Sequence, residues 1–197
     1  MNTVRNHFFP SDPVIPSRVK HQRWISVISK KFEPLLLNQK DSHSHSDNSS
    51  NEEVENFRGK WLLFNDKEQE DEARGMTQHD YAWQVIKRLV EKDELYAAKC
   101  STACDGQYAT RPGSNFGVIC CYTLDYTNEQ DVKRVADAIR QVYCYPKDMF
   151  YKTDNDTRAR KYKCLGEKFV SIYKHTVDSK MYERDSVFRY QWNIINV

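Results

Sequence analysis

Hydrophobic residues recur at helical spacing in two separate stretches of the chain. Thr77 and Asp80 predict a capping box at the start of the first helix, and Thr127 and Gln130 predict one at the start of the second. The apolar positions that follow are Ala82, Trp83, Ile86, Leu89 and Val90 in the first helix, and Val132, Val135, Ala136, Ile139 and Val142 in the second. Because these positions fall on one stripe of each helix, we expect both helices to pack on a sheet.

Short runs with strand character alternate with the two helices. The predicted strands are 60–64, 95–104, 117–126, 149–153 and 168–173, the last of these ending the sheet. Within the second run, alternation places Lys99 and Ser101 on one face of the strand. The third run is apolar on both faces and is therefore expected at the centre of the sheet. This order of elements predicts a single α+β domain over residues 57–197.

Residues 1–56 are predicted as a flexible N-terminal region with one short helix. The first residues are polar and rich in proline, which favours extended or disordered chain. A helix near 24–33 is predicted because three apolar residues recur every fourth position, at Trp24, Ile28 and Phe32. Between 38 and 56 the composition narrows to Ser, Asn, Asp, Glu and His, which is typical of a solvated linker.

Charge is unevenly distributed along the chain. The formal net charge is only +2 with 29% charged residues, which argues against a histone-like binder or an acidic chaperone. Residues 147–184, however, contain ten Lys or Arg against six Asp or Glu, so this segment carries a local charge of +4. The basic side of the molecule is therefore predicted in its C-terminal third.

The sequence favours an intracellular location. No run approaches the roughly 18 apolar residues of a membrane span, and residues 1–20 lack the apolar core of a signal peptide. We expect a cytoplasmic protein, with the nucleus as an alternative and no membrane partner. In that compartment the six cysteines favour reduced thiols. Neither a metal site nor a cofactor is predicted.

Enzyme signatures are missing from the sequence. It contains no phosphate-cradling glycine loop, no HExxH and no Gly-x-Ser-x-Gly elbow. Asp125, Asp154 and Asp156 could suggest a carboxylate cluster, but each stands at a predicted strand end, where Asp favours turns for backbone reasons. We therefore assign no catalytic residue and favour a non-enzymatic function.

Several short blocks of the sequence resemble one protein family when they are taken in order. The blocks are Gly59-Lys60-Trp61-Leu62-Leu63-Phe64, Trp83 with Ile86, Ala98-Lys99-Cys100-Ser101-Thr102, the run from Val118 to Tyr126, Asp131-Val132 with Arg134-Val135, and Tyr151-Lys152-Thr153-Asp154 with Thr157 and Tyr162. They are similar to the basophilic leukaemia-expressed protein family, whose fold resembles translation initiation factor 4E. The resemblance covers residues 57–173. It implies a curved, mainly antiparallel sheet with helices packed on one face and a concave face left for a ligand.

Cap recognition is not expected from this resemblance. Cap-binding relatives stack a methylated guanine between two tryptophans. Of the four tryptophans here, Trp61 and Trp83 stand in apolar patterns and are predicted core residues. No tryptophan pair is therefore assigned to a cap, because a function belongs to its site and not to the fold.

The resemblance instead points to a cluster of phosphate-binding side chains on the concave face. Lysine ammonium groups and small hydroxyls donate hydrogen bonds to phosphate oxygens, and tyrosines offer stacking faces. The rings available for stacking are Tyr151, Tyr162, Phe169, Tyr173 and Tyr182. The predicted ligand residues are Lys99, Ser101, Thr102, Lys152, Thr157, Arg158, Arg160 and Tyr162. We expect a non-enzymatic binder of RNA or of another phosphate-bearing ligand.

Two alternatives stay open at this point. The family also resembles bacterial phosphothreonine lyases, in which a lysine removes a proton and a histidine assists the leaving phosphate. Here the matching positions read Lys99-x-Ser101 and Lys152-x-Asp154, so the histidine is missing. The other alternative is a protein-interaction adaptor that binds a partner through its helices or through the segment from Trp24 to Leu37.

Overall fold

The computed structural model describes residues 14–32, 57–104 and 114–197. In this part of the chain, eight strands form one sheet and two short strands form a hairpin beside it. The strands are β1 Trp24–Ile28, β2 Gly59–Asp66, β3 Glu70–Asp71, β4 Met76–Thr77, β5 Ala97–Ser101, β6 Phe116–Thr123, β7 Met149–Thr153, β8 Tyr173–His175, β9 Met181–Arg184 and β10 Trp192–Ile195. The predicted linker at 38–56 lies outside the described residues.

The large sheet has the strand order β1-β5-β6-β2-β7-β8-β9-β10 and is antiparallel at each pairing. Strand β6 lies between β5 and β2, as its apolar character on both faces predicts. The antiparallel α+β architecture confirms the expected fold class.

The two long helices cover one face of this sheet. Helix α1 spans Gln78–Glu91, α2 spans Glu129–Val142, and the short α3 spans Asp154–Arg158. Trp61 and Trp83 are buried between α1, α2 and the sheet, as their apolar surroundings predict. The indole of Trp61 also donates a hydrogen bond of 2.9 Å to the carbonyl of Val132, which ties β2 to α2.

One of the two predicted helix caps is confirmed and the other is shifted by one residue. The Thr77 hydroxyl accepts a hydrogen bond of 3.1 Å from the backbone N–H of Asp80, as predicted. At the second helix the cap is Asn128, whose side chain accepts from the N–H of Asp131 at 3.1 Å. Thr127 instead bonds its hydroxyl to Asp125 within the preceding turn, so the prediction of a Thr127 cap is wrong.

The helix predicted near 24–33 is wrong. Trp24–Ile28 forms strand β1, which pairs along its whole length with β5, and a 3₁₀ turn follows at Lys30–Phe32. A spacing of four residues is also a multiple of the strand period of two, so Trp24 and Ile28 share a strand face as readily as a helix face. Pairing with β5 selects the strand. The large sheet therefore takes in a segment that precedes the predicted boundary at residue 57.

The residues just before β1 are packed, although extended or disordered chain is predicted there. A 3₁₀ turn at Pro16–Arg18 buries Pro16, and Val19 joins the core. The backbone N–H of Ser17 donates to Asp80 at the start of α1 with a length of 2.9 Å. This contact joins the N-terminal segment to the helix layer.

The C-terminal strands differ from the prediction of a last strand at 168–173. The chain enters β8 only at Tyr173 and continues through β9 and β10. Each of these strands has three or four residues, too few to establish a period of two in the sequence.

No helix among the described residues is long and apolar enough to cross a membrane. The six cysteines, all within the described ranges, are free thiols.

Candidate functional site

Lys60, Lys99 and Lys152 lie on the sheet face opposite the helices. Lys60 on β2 stands directly opposite Tyr122 on β6 and Lys152 on β7. On β5, Lys99 stands opposite Cys120, which is two residues from Tyr122 on the same strand. Because opposite residues of antiparallel strands point to one side and strand residues alternate in direction, these side chains share a face. We call it the lysine face.

Lys99 is held between two aromatic rings on this face. Its ammonium lies 4.7 Å from the centroid of the Trp24 ring and 5.6 Å from that of Tyr122. Cation–π contacts of this kind are electrostatic and leave the hydrogen-bond donors of the ammonium free to point outward. Lys99 and both rings are partly exposed. Among the lysines named above, Lys99 is therefore the most accessible to a ligand.

Lys60 is paired with a carboxylate. Its side chain is 5% exposed and its ammonium forms a salt bridge with Asp154 at the start of α3. The same ammonium lies 5.5 Å from the Tyr122 ring. Asp154 offsets one of the charges on the lysine face and leaves those of Lys99 and Lys152.

Lys152 is buried beneath Tyr162. The Lys152 ammonium donates a hydrogen bond of 2.6 Å to the carbonyl of Lys161 and lies 3.5 Å from the Tyr162 ring centroid. Burial, and next the charge of Lys60, lower the pKa of Lys152 from 10.5 to about 8. Lys152 thus shares the predicted face with Lys99, but the Tyr162 ring covers its amine.

The hydroxyls predicted to contact phosphate are used inside the protein. Ser101 is buried, and its hydroxyl accepts a hydrogen bond of 2.9 Å from the N–H of Val118. Thr102 is buried as well, and its hydroxyl donates to the carbonyl of Gln22. The Thr157 hydroxyl donates to the carbonyl of Thr153 at 3.0 Å. In this arrangement the three side chains support the backbone around the lysine face.

The basic residues after β7 form an exposed segment beside the lysine face. Arg158 ends α3 and its guanidinium contacts Asn155 at 3.2 Å. Arg160 follows in a left-handed backbone conformation with φ of 55°. Both arginines are exposed. Lys161 forms a salt bridge of 2.6 Å with Asp156. The two predicted arginines therefore stand on the surface just after β7.

The predicted stacking rings divide between the two faces of the sheet. Tyr151 and Tyr173 are buried in the core on the helix side, so the sequence-based suggestion that they stack on a ligand is wrong. Tyr162, Phe169 and Tyr182 are at least partly exposed. The period of two along β7 explains the separation, since Tyr151 stands next to Lys152 and must point the opposite way.

Three residues of the lysine face were not recognised in the sequence. Lys60 stands within an apolar run, Trp24 falls in the predicted helix, and Tyr122 falls in the predicted central strand. Alternation along β2 carries a signal for Lys60, because Trp61 and Leu63 face the helices and leave Lys60 on the other side. No local signal marks Trp24, because its position depends on pairing with β5.

A buried cysteine–histidine pair lies elsewhere in the domain. The Sγ atom of Cys100 is 3.0 Å from Nε2 of His79, and both side chains are buried. Burial raises the pKa of Cys100 well above its usual value and lowers that of His79. Both groups are therefore neutral near pH 7, which does not favour a thiolate nucleophile at this pair.

Comparison with known proteins identifies the family. The model of the family described as basophilic leukemia-expressed protein Bles03 matches residues 22–158. No curated protein matches the chain. Among solved structures, the complex of C. elegans eIF4E-3 with the 4E-binding protein Mextli is similar at 17% identity and a TM-score of 0.39. The match covers 51% of this chain and 54% of that one, so it spans about half the length of the relative.

Proposed function

The chain belongs to the basophilic leukemia-expressed protein Bles03 family, and we propose that it is a non-enzymatic binding protein for RNA or another phosphate-bearing ligand. The observation that carries the proposal is the position of Lys99, partly exposed between Trp24 and Tyr122 on the face that the helices leave open. An ammonium in contact with ring faces remains able to donate to a phosphate oxygen.

The surroundings of Lys99 favour an anion over a cation. Asp154 is already engaged by Lys60, while Arg158 and Arg160 add exposed positive charge beside the face. The partly exposed rings of Trp24 and Tyr162 offer stacking surfaces for bases next to these charges, a combination found in proteins that bind single-stranded nucleic acid. RNA is therefore the first ligand to test.

Lys99 and Lys152 have different parts in this proposal. Lys99 makes the direct contact. The Lys152 ammonium reaches a ligand only if the Tyr162 ring moves aside and the hydrogen bond to the Lys161 carbonyl is given up. Until then Lys152 acts on the ligand through its positive charge.

Fluorescence polarisation with a labelled single-stranded RNA tests the proposal. The variants are Lys99→Gln and Lys152→Met, and Lys92→Gln at the end of α1 is the matched control, since it removes an exposed lysine behind the sheet. Binding is measured at about 50 and 200 mM salt, because phosphate contacts weaken steeply over this range. Inorganic phosphate and a phosphothreonine peptide serve as competitors that separate RNA from other phosphate sources.

The proposal predicts salt-sensitive binding that Lys99→Gln weakens severalfold and the Lys92→Gln control leaves unchanged. Equal weakening of RNA binding by Lys99→Gln and by Lys92→Gln would indicate an effect of net charge alone and would reject the lysine face as the site. Binding that is insensitive to the lysine variants and to salt would instead favour a protein-interaction adaptor.

A phosphothreonine-lyase-like reaction is the second candidate function. What favours it is the burial of Lys152, which lowers the pKa of this lysine to about 8 and so suits a group that must accept a proton. The position two residues from Lys99 is the buried Ser101, which does not replace the histidine of the lyases. Incubation with a phosphothreonine peptide tests the reaction, because elimination would release phosphate and leave a dehydrated residue detectable by mass spectrometry.

A further inference from the structure

The lysine face continues beyond the residues assigned above, to the edge formed by β8, β9 and β10. Lys174 on β8 stands opposite Phe150 on β7 and Tyr182 on β9. At the end of β9, Arg184 stands opposite Trp192 on β10. Because directly opposite residues of antiparallel strands point to the same side, these side chains all belong to the lysine face.

Positive groups and aromatic rings contact each other throughout this region. The Lys174 ammonium lies 4.6 Å from the Tyr182 ring centroid and 5.3 Å from that of Trp192. The Arg184 guanidinium lies 4.1 Å from the Trp192 ring, and Arg189 lies 4.8 Å from Phe169. We call this group the C-terminal cluster; it consists of Phe169, Lys174, Tyr182, Arg184, Arg189 and Trp192.

The charges of the C-terminal cluster have separate roles. Arg184 is fixed by the backbone, since its guanidinium donates to the carbonyls of Ser171 and Arg189 at 2.6 Å each. Within the described part of the chain the Lys174 ammonium, in contrast, has only ring contacts, to Tyr182 and Trp192. Arg189 is exposed. Arg184 therefore orders the Trp192 ring, whereas Lys174 and Arg189 keep donors for an outside anion.

We infer that the C-terminal cluster is a second contact site for the same ligand, and that this ligand is a single-stranded nucleic acid crossing the strands from β5 towards β10. The inference rests on the function proposed above. With strands about 4.8 Å apart, β5 and β10 are six strand positions and about 29 Å apart, on opposite halves of the sheet. A single phosphate or a mononucleotide is too short to reach both, and an oligonucleotide is long enough. Its phosphates would contact Lys99, Lys174 and Arg189, and its bases would stack on Tyr182 and Trp192.

A length series of oligonucleotides tests this inference. Polarisation is measured with single-stranded RNA of about 4, 8 and 16 nucleotides, which spans the site sizes of single-strand binders. The variants are Lys174→Gln, Arg189→Gln and Trp192→Leu, with Lys99→Gln for the first site and Lys92→Gln as the charge control. Circular dichroism verifies that each variant is folded. Because Trp192→Leu alters an edge strand, Tyr182→Leu provides a second ring variant.

The expected affinity rises from the shortest to the longest oligonucleotide. Each lysine or arginine variant should lower the slope of log affinity against log salt by about 1 for the long RNA, and a ring variant should weaken its binding by about tenfold. The shortest RNA, bound at one site, should respond to fewer of these variants. Photo-crosslinking of a long 4-thiouridine RNA should label peptides from β5 or β6 and from β9 or β10.

Two results would overturn the inference and are distinguishable. If RNA of all lengths binds equally and responds to Lys99→Gln alone, the C-terminal cluster is not a contact site, while the proposed function stands. If no RNA binds and the phosphothreonine peptide does, the ligand is not a nucleic acid, so the inference fails while the proposed binding of a phosphate-bearing ligand stands.

Discussion

Lys60 and Lys152 stand directly opposite each other on β2 and β7, and both are buried. Like charges in this position repel each other. Asp154 forms a salt bridge with Lys60, and the Lys161 carbonyl accepts from Lys152. These two acceptors allow a pair of cations to remain in the interior. The lowered pKa of Lys152 reflects the remaining cost of burying its charge beside that of Lys60.

Replacing Asp154 by Asn should destabilise the domain. The change leaves the buried Lys60 ammonium without its carboxylate, which costs about 3 kcal/mol, the lower end of the range for buried pairs. Asp178→Asn is the matched control, because Asp178 pairs with Lys180 on the surface, where solvent screening leaves an ion pair with little effect on stability. Urea unfolding measures both variants. Equal losses of stability would show that the Lys60–Asp154 pair contributes no more to the free energy of unfolding than a surface ion pair does.

The stability of the domain should depend on the ionisation of Lys152. Its pKa is about 8 in the folded protein against 10.5 for the ordinary group, so between these values the unfolded chain binds more protons. The free energy of unfolding therefore gains up to about 1.4 kcal/mol per pH unit from this group as pH rises through that window. Below pH 8 both states are protonated, and the folded protein carries the full penalty.

Comparison with Lys152→Met isolates this contribution from that of other titrating groups. The free energy of unfolding of the variant minus that of wild type should be larger below pH 8 than at high pH. This difference should shrink as pH rises from about 8 to 10. Urea unfolding at several pH values supplies the measurement. A difference that is independent of pH would contradict the lowered pKa of Lys152.

Two isoleucines of β1 should respond differently to truncation. Ile25 is 6% exposed and belongs to the core, whereas Ile28 is 44% exposed on the lysine face. Ile25→Ala should cost about 2–4 kcal/mol, and Ile28→Ala should change the free energy of unfolding by less than about 0.5 kcal/mol. A helix with Trp24, Ile28 and Phe32 on its buried face would give the larger effect at Ile28, so the same pair of variants tests the strand.

Gly117→Ala should be destabilising because the new methyl group would overlap the His79 ring. A Cβ atom built at Gly117 would lie 2.4 Å from Nε2 of His79, a distance that forces side chain or backbone to shift at a cost of about 1–3 kcal/mol. Thermal unfolding measures the loss. In the double variant Gly117→Ala/His79→Ala the methyl group finds room, and the two costs should therefore not add.

Elements with a local pattern could be predicted from the sequence. The hydrophobic stripes of α1 and α2 follow the helix period within each segment, and the Thr77 cap needs only Asp80 three residues later. Strand β1 could not be settled in this way, since a four-residue spacing suits both structures. Its conformation depends on β5, about seventy residues further along the chain, and no local pattern contains that information.

The candidate site shows the same division. Alternation along β5 and β7 predicts which side of its own strand Lys99 or Lys152 occupies. The strand pairing then shows that both lysines lie on the same face of the sheet. The accessibility of the polar groups could not be predicted, because it depends on packing from distant segments. Tyr162 covers Lys152, and the carbonyl of Gln22 takes the Thr102 hydroxyl.

The central position of β2 has a consequence for how the chain folds. Its partners β6 and β7 are synthesised much later than β2, and Lys60 meets Lys152 only after about ninety further residues have been made. During translation β2 therefore leaves the ribosome as an apolar strand with both edges unpaired. Such a strand is a point of aggregation until its neighbours arrive. Newly made chains should depend on chaperones at this stage more than at any later one.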